Sequence, residues 1–336
     1  MNQIFTAKAI ERLQEFLEKD NRKTDIEVLT PDASTREYFR INWNDSTAIA
    51  CVYSESFLAK EQSYIDATNL LLVGGLPVAK IFDFSENLGV IIQEDFGDTI
   101  LRDVLAESDS GEKENLLDEA TILIAEIQAA TTKAFELDSI ASRLKFDEEK
   151  LLWELNFFKT HYFESLQKQP LSNKENLALT EEFISLSREL ETRAKVLCHR
   201  DFHAANLMLD KENRLRIIDH QDARIGAASY DLVSLLLDRV LETPDENWLT
   251  EKKRFFLSAR EKLGLEKIAF EDFDYEFRLQ TVQRCLKAVG TFSFQTANRG
   301  KTNYIQYIDP LLRIVAEAAE RLNRFSNLQK IIAKII

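Results

Sequence analysis

The feature that most constrains the fold of this chain is a polar segment, HRDFHAAN, followed closely by a second one, IIDHQD. The first runs from His199 to Asn206, and the first aspartate of the second is Asp219. Between them the apolar runs LML and LRII flank the polar turn DKENR, a pattern that predicts a β-hairpin. A hairpin brings its two open ends together, so Asn206 and Asp219 are predicted to lie side by side.

These residue types are the ones that phosphoryl transfer from a metal-bound nucleotide requires. One carboxylate orients and deprotonates a hydroxyl group, and an asparagine–aspartate pair holds Mg²⁺ on the phosphates. We therefore predict Asp201 as the catalytic base and Asn206 and Asp219 as the Mg²⁺ ligands. The alternative is that Asp201 and Asn206 only stabilise a turn through local hydrogen bonds. The complete spacing, with His199 and Asp219 included, favours the catalytic interpretation.

The rest of the chain divides into two regions with different patterns. Residues 1–93 consist largely of short strand patterns and predict a small antiparallel sheet with a helix packed on it. Beyond the segment EDFGD at residues 94–98, long helical patterns dominate, including one over residues 146–166. The predicted fold class is α+β and bilobal: a small antiparallel β-rich N-terminal lobe (1–93), a hinge (94–98) and a larger, mostly helical lobe (99–336).

Composition limits the classes of partner. The net charge of −14 argues against a general nucleic-acid surface, which needs a basic face. No apolar run approaches the ~20 residues that cross a bilayer, and the first residues lack the pattern of a signal peptide. Three scattered cysteines do not form a disulfide framework. We expect neither nucleic acid nor membrane as a partner, and a monomer located in the cytoplasm.

The charge is unevenly distributed along the chain. Between Phe277 and Ile308 there is no acidic residue, but there are five basic ones: Arg278, Arg284, Lys287, Arg299 and Lys301. A basic segment in an acidic protein is a candidate anion-facing surface. The alternative is an ordinary solvated helix face.

The HxDxxxxN…D pattern and the two regions resemble the protein-kinase-like superfamily, in its branch of aminoglycoside and small-molecule phosphotransferases. The segments DASTREYFRI, EDFGD, QRCLKAVGTF and NRGKTNYI also resemble bacterial kinases that phosphorylate the anomeric hydroxyl of N-acetylmuramate and N-acetylglucosamine during cell-wall recycling. The resemblance spans nearly the whole chain. It implies a protein-kinase-like fold, ATP and Mg²⁺ as cofactors, and a small amino sugar as the substrate.

The resemblance also implies roles for individual residues. DASTREYFRI occupies the place of a phosphate-covering loop and EDFGD that of the hinge that pairs with adenine, so the expected nucleotide-binding residues are Ser34, Thr35, Arg36, Glu94 and Phe96. The expected substrate-binding residues lie near Asp201 or in the basic segment: His203, Gln221, Asp222, Arg284, Lys287, Arg299 and Lys301. His199 and Asp231 are expected to support the catalytic loop. For His199 the role of a satisfied buried histidine is favoured over a functional one, and for Asp231 a helix cap explains the residue equally well.

One departure from protein kinases matters. The third strand, TAIACVY, lacks the lysine that grips the nucleotide phosphates. Lys60 or an arginine of the first hairpin is a candidate replacement. Two alternatives to an amino-sugar kinase stay open: a kinase for an aminoglycoside or another small alcohol, and a catalytically inactive nucleotide-binding scaffold.

Overall fold

The computed structural model describes residues 2–19, 22, 24–29 and 36–336. Its strands are β1 (Ile26–Leu29), β2 (Glu37–Trp43), β3 (Ser46–Val52), β4 (Ile81–Ser85), β5 (Val90–Glu94), β6 (Val196–Cys198), β7 (Leu207–Leu209), β8 (Leu215–Ile217) and β9 (Arg224–Gly226). Its α-helices are α1 (Asn2–Lys19), α2 (Ser63–Val73), α3 (Leu101–Glu107), α4 (Ser110–Ala129), α5 (Thr131–Glu136), α6 (Ile140–Arg143), α7 (Glu148–Phe158), α8 (Asn173–Arg193), α9 (Tyr230–Leu237), α10 (Glu246–Lys262), α11 (Phe270–Arg299), α12 (Ile308–Arg321) and α13 (Ser326–Ile332).

By its contacts the chain forms two compact units, and the first combines two stretches of sequence. It comprises the described residues of Met1–Glu107 together with Ala205–Asp222. Its centre is an antiparallel sheet with the strand order β1-β2-β3-β5-β4. Because side chains alternate across a strand, Phe39 and Ile41 of β2 lie on the face that α1 covers with Leu13, and all three are buried.

The hairpin predicted around residues 207–217 is present and belongs to this sheet-containing unit. β7 and β8 pair antiparallel, with Leu207 opposite Ile217. Two backbone hydrogen bonds fasten the hairpin to the earlier part of the chain: Leu209 N–H donates to the Thr99 carbonyl at 2.9 Å and Ile217 N–H to the Pro77 carbonyl at 3.0 Å. The hairpin is therefore a structural part of the unit that contains the sheet.

The second unit, Ser108–Ala204 with Ala223–Ile336, is mostly helical. The 30-residue helix α11 runs through it and packs against α7, α9 and α12. α11 approaches α7 closely at Gly290, where an added Cβ would lie 2.7 Å from the Phe158 Cα. β6 and β9 pair beside these helices and lead into and out of the region that carries Asp201.

The helix predicted over residues 146–166 is present, but it changes type. It is α-helical from Glu148 to Phe158 and continues as a π-helix over Lys159–Leu166. The widening begins directly after Phe158, the residue in closest contact with Gly290. π-Helical turns are uncommon and occur frequently at functional sites.

The two contact-based units do not coincide with the lobes expected from the sequence, and the lobe boundaries at 93/94 and 98/99 stay a prediction. None of the helices in the described part of the chain is long and apolar enough to cross a membrane.

Candidate active site

The loop that carries Asp201 is held by a buried carboxylate. Asp231, in the first turn of α9, accepts hydrogen bonds from the backbone N–H groups of His199 at 2.7 Å and Arg200 at 3.0 Å. Arg200 has a φ of 87°, a left-handed conformation that non-glycine residues rarely adopt. Burial raises the pKa of Asp231 to about 6, although its hydrogen bonds with His199 and Arg200 oppose the shift. Asp231 thus stabilises an unfavourable backbone conformation next to Asp201.

Asp201 itself is surrounded by cations. Lys287 Nζ donates to Asp201 Oδ1 at 2.7 Å, and Arg284 Nη2 lies 3.4 Å from the same oxygen. Arg200 Nε lies 3.9 Å from Oδ2. Burial alone would raise the pKa of Asp201, but Lys287, Arg200 and Arg284 outweigh it and hold that pKa well below its usual range. Asp201 is therefore ionised.

The cation Arg284 is itself fixed by neighbours on α9. Arg284, only 3% exposed, contacts Asp238 Oδ2 at 3.0 Å and donates to Ser234 Oγ at 2.9 Å. Asp238 follows the last residue of α9, and its pKa is lowered because the charges of Arg284, His203, Arg239 and Lys287 together outweigh the effect of burial. A buried arginine with two such partners keeps its position when Asp201 changes its protonation state or its ligands.

A second buried carboxylate, Glu154 of α7, continues this charged network. It accepts a hydrogen bond from Gln283 Nε2 at 2.9 Å and lies 4.0 Å from Arg200 Nη2 and 3.8 Å from Lys150 Nζ. Among the described residues, five cations (Lys150, Arg200, Arg239, Arg284, Lys287) and three carboxylates (Glu154, Asp201, Asp238) thus belong to one charged network. In a chain with a net charge of −14, cations outnumber carboxylates in this network.

The predicted substrate-binding residues of this unit separate into near and distant ones. His203 is half-buried; burial lowers its pKa to about 4, and its Nδ1 has no hydrogen-bond partner among the described residues. Arg284 and Lys287 contact Asp201 directly, as given above. Arg299 does not, because twelve residues of α11 place it about 18 Å further along the helix axis than Lys287. Lys301 follows the end of that helix.

The predicted metal-binding pair meets at the open end of the hairpin, in the unit that contains the sheet. Asn206 Nδ2 lies 3.4 Å from Asp219 Oδ2, and Gln221 Nε2 donates to Asp219 Oδ1 at 2.8 Å. Asp219 has a positive φ of 62°. His220, by contrast, is buried, bonds Thr68 Oγ1 at 2.7 Å and anchors this end of the hairpin to α2. Asp222, the last residue of the unit, is half-buried.

The chemistry of this pair fits Mg²⁺. A carboxylate and an amide oxygen are hard ligands, and Mg²⁺ in nucleotide sites is held by one or two protein ligands plus phosphate oxygens and water. No group of three or more His, Cys, Asp or Glu side chains among the described residues is arranged to hold a metal ion. A site with few protein ligands, completed by a nucleotide, is consistent with both observations.

Arg36, at the start of β2, directs a cation towards the same place. Its Nη2 lies 3.6 Å from Asp219 Oδ1, and its guanidinium carbon lies 5.8 Å and 5.7 Å from the ring centroids of Tyr38 and Tyr53. Burial raises the pKa of the neighbouring Cys51 thiol to about 11, so this thiol is neutral. The two tyrosine rings therefore position a charged arginine beside Asp219. Lys60, in contrast, is exposed and pairs with Glu61.

The remaining predicted nucleotide-binding residues lie at the end of the sheet or outside the described part of the chain. Glu94 is the last residue of β5, and its backbone N–H donates to the Lys80 carbonyl at 2.9 Å. Phe96 is buried, 4.9 Å from the Arg216 guanidinium. Ser34 and Thr35 lie outside the described residues.

Comparison with known proteins decides the family. A family model described as the phosphotransferase enzyme family matches residues 25–265 of this chain. The chain belongs to this family. The matched region of the phosphotransferase includes the sheet, the loop with Asp201 and the hairpin with Asn206 and Asp219.

Two relatives match this chain over most of their length. The phosphotransferase is 28% identical over 316 residues to an N-acetylmuramate/N-acetylglucosamine kinase of Neisseria meningitidis serogroup B, covering 94% of this chain and 92% of the relative. It is 26% identical to a protein of the same name from Pseudomonas aeruginosa, with 90% and 86% covered.

Solved structures of low sequence identity share the fold of this phosphotransferase. A choline kinase from Streptococcus pneumoniae aligns with a TM-score of 0.59 at 14% identity, covering 91% of this chain and 98% of that one. An ADP-bound aminoglycoside phosphotransferase aligns with a TM-score of 0.57 at 15% identity, covering 92% and 98%. These alignments confirm the predicted fold class, α+β and protein-kinase-like with two lobes.

Sequence reasoning missed part of the charged network of the phosphotransferase. Asp238, Glu154 and Lys150 were not predicted, because their positions depend on how α7, α9 and α11 pack together. Asp238 carried a weak signal, since it is a charged residue that directly follows the wholly apolar end of a buried helix. The sequence offered no such signal for Lys150, because its pattern is that of an ordinary charged residue on an amphipathic helix.

Proposed function

We propose that this phosphotransferase is an ATP-dependent kinase that phosphorylates the anomeric hydroxyl of N-acetylmuramate and N-acetylglucosamine. The observation that carries the proposal is the ionised Asp201 carboxylate within a cationic network of Lys287, Arg284 and Arg200. The substrate rests on the relatives, which are named as kinases of these two sugars.

The reaction needs little chemistry from the protein. The anomeric oxygen forms a bond to the γ-phosphorus of ATP, the bond from that phosphorus to the β,γ-bridging oxygen breaks, and ADP leaves. The hydroxyl proton passes to Asp201 and then to solvent. A carboxylate of low pKa suffices, because the transition state is loose and positioning contributes more than early deprotonation. An anomeric hydroxyl is also more acidic than an ordinary alcohol, since the ring oxygen withdraws electrons.

Lys287 and Arg284 have two tasks in this mechanism. They bind Asp201 Oδ1 and so fix the orientation of the carboxylate that accepts the proton of the substrate hydroxyl. Beside a transferred phosphoryl group, such fixed cations would also stabilise the negative charge that accumulates on its oxygens. His203, with an unpaired ring nitrogen, is the nearest candidate to bind a sugar hydroxyl.

On the nucleotide side, Asn206 and Asp219 would hold Mg²⁺, which neutralises charge on the phosphates when bound. We assign Arg36 the task of the absent strand lysine, because two tyrosines fix its charge 3.6 Å from Asp219. Ser34 and Thr35 would cover the phosphates, and the backbone of the hinge from Glu94 to Phe96 would pair with adenine. Gln221 and Asp222 are proposed to contact the sugar, and Arg299 and Lys301 to contribute only at long range.

Neither alternative function has comparable support. An aminoglycoside is a polycation and would meet like charge from Lys150, Arg200, Arg284 and Lys287 near Asp201. An inactive scaffold does not require an ionised Asp201 or the buried pairs that keep it so. Since the proposed reaction consumes ATP, we propose a cytoplasmic location for the enzyme. We further propose a monomer with a hinge at residues 94–98 between lobes 1–93 and 99–336.

A coupled ADP-release assay tests the function. N-acetylmuramate and N-acetylglucosamine should each stimulate ADP release, and phosphorus NMR of the product should show phosphate on the anomeric carbon. Asp201→Asn should lower kcat by about 10²- to 10⁴-fold, the usual contribution of a positioned base. Asp45→Asn, in an exposed turn of the sheet unit, is the matched control and should behave as wild type. ADP release with an aminoglycoside but with neither sugar would contradict the proposal.

A further inference from the structure

Aromatic side chains form an exposed strip on the second unit. Trp153, Phe157 and His161 follow one another at four-residue intervals along α7 and the π-helix, and Phe294 lies beside them on α11. Neighbouring ring centroids lie 5.5 Å apart for Trp153 and Phe157, 4.1 Å for Phe157 and His161, and 4.9 Å for His161 and Phe294.

This strip is not part of the core. Trp153 is 55% exposed and the other three rings are half-buried, whereas the adjacent Phe158 is completely buried. Continuous exposed apolar patches commonly mark binding sites, and exposed aromatic rings provide flat contact area with little loss of side-chain entropy.

Both helices lead from the strip to Asp201. Phe294 lies seven residues, or two turns and about 10 Å, beyond Lys287 on α11, and Lys287 contacts Asp201 at 2.7 Å. On the α7 side, Lys150 Nζ lies 4.2 Å from the Trp153 ring centroid and connects through Glu154 and Arg200 to Asp201. The strip therefore lies on the same two helices, α7 and α11, that supply Glu154 and Lys287 to the charged network of Asp201.

Lys150 gives one end of the strip a positive charge. Burial lowers its pKa, and the charges of Arg200, Arg224 and Lys287 lower it further, while Glu154 opposes the shift. Its contact with Glu154 is long, at 3.8 Å, and Glu154 already bonds Gln283. A charge-assisted hydrogen bond from an additional carboxylate would therefore stabilise the charged form of the Lys150 ammonium group.

We propose that this strip is the acceptor-sugar subsite: Trp153 and Phe157 stack against the apolar face of the pyranose ring, and Lys150 binds a carboxylate substituent on that ring. Pyranose rings present a face of C–H groups that pairs with aromatic rings, and ligand sites commonly combine aromatic walls with a few polar groups. The subsite rests on the proposed function. It distinguishes N-acetylmuramate, which carries a lactyl carboxylate, from N-acetylglucosamine, which does not.

Steady-state kinetics with both sugars test the two parts separately. Trp153→Ala should raise KM about tenfold for each sugar, the loss expected for an aromatic stacking contact, with kcat unchanged. Lys150→Met should raise the KM for N-acetylmuramate about tenfold more than the KM for N-acetylglucosamine, since only the first sugar offers it a carboxylate. The matched controls lie on α5: Phe135→Ala removes an equally exposed aromatic ring and Lys133→Met an exposed lysine. Both should leave KM unchanged.

Tryptophan fluorescence reports binding without turnover. In the Asp201→Asn enzyme, either sugar should change the emission of Trp153, because Trp43 is buried and Trp248 donates its ring N–H to Glu114. Trp153→Phe in the same background should abolish the change. Because phenylalanine keeps a ring for stacking, Trp153→Phe in the otherwise wild-type enzyme should retain KM within about threefold.

These experiments distinguish failure of the proposed subsite from failure of the proposed function. If the wild-type enzyme phosphorylates both sugars but Trp153→Ala and Lys150→Met leave both KM values unchanged, the subsite is wrong and the function stands. If the wild-type enzyme phosphorylates neither sugar, the function is wrong. The titration then decides the subsite: a Trp153 emission change on adding sugar upholds it, and no change overturns it as well.

Discussion

At the scale of single residues, the loop carboxylate Asp201 and the helix carboxylate Asp231 that supports this loop lie in opposite environments. Asp201 faces the cations Lys287, Arg200 and Arg284, which hold its pKa well below the usual range. Asp231 is buried and satisfied mainly by backbone N–H groups, and its pKa is raised to about 6. Because enzymes place similar groups in different environments to give them different tasks, we propose that Asp201 takes part in the reaction and that Asp231 stabilises the loop that carries it.

The raised pKa of Asp231 predicts the acid limb of the pH–rate profile. Below about pH 6 Asp231 becomes protonated and accepts the His199 and Arg200 N–H groups less well, so kcat should fall there. Asp201 remains ionised and His203, with a pKa of about 4, remains largely neutral. Rates measured from pH 4.5 to 8 should therefore fall through pH 6 in the wild type. Asp231→Asn should be slow throughout and lack that fall, and a flat wild-type profile would contradict this assignment.

The free energy of unfolding should change with pH in the opposite direction from kcat, falling as the pH rises. This provides an independent check of the Asp231 assignment. The folded-state pKa of Asp231 lies above its ordinary value of 3.8, so between about pH 4 and 6 the folded protein holds a proton that the unfolded chain has released. This carboxyl thus favours folding at low pH, and its contribution disappears as the pH rises through 6. Urea unfolding should show the wild type losing up to about 1.4 kcal/mol per pH unit relative to Asp231→Asn over this range.

At the scale of elements, the contact between α7 and α11 depends on one glycine. An added Cβ at Gly290 would lie 2.7 Å from the Phe158 Cα and 2.9 Å from its backbone nitrogen, atoms that cannot rotate away. Gly290→Ala should therefore separate the helices and destabilise the protein by about 1–3 kcal/mol in urea unfolding. Gly111→Ala, near the start of α4, meets only the Asp109 side chain at 3.4 Å and should be neutral or stabilising by up to about 1 kcal/mol.

Elements also explain what the sequence could and could not predict. The meeting of Asn206 and Asp219 was predictable, because a short hairpin is a local structure whose ends converge wherever it packs. The basic segment was predicted as one surface, but α11 distributes its residues over a long axis, so Lys287 reaches Asp201 and Arg299 lies far from it. The contributions of Lys150 and Glu154 arise from packing between helices more than a hundred residues apart, which no local pattern reports.

At the scale of the whole molecule, nucleotide binding should appear as added stability. A ligand that binds only the folded state at 100 times its Kd contributes about 2.7 kcal/mol, so ATP with Mg²⁺ should raise Tm by several degrees. EDTA should remove most of this increase. Asp219→Asn, which weakens the proposed metal site, should reduce the magnesium-dependent part and leave the Tm without nucleotide close to that of the wild type. An increase of equal size with and without Mg²⁺ would contradict the assignment of Asn206 and Asp219.

The unit that contains the sheet is discontinuous in sequence, and this limits how the gene can be divided. A fragment ending at Glu107 would lack the hairpin, and the backbone carbonyls of Pro77 and Thr99 would lose the N–H donors of Ile217 and Leu209. It would also lack Asp219, the partner of Arg36. Recombination that exchanged only the N-terminal third would therefore pair one protein's sheet with another's hairpin. On the proposed assignment of Asn206 and Asp219, nucleotide binding in such a chimera requires residues 205–222 from the same parent, so the unit that contains the sheet can be transferred only as two separate segments.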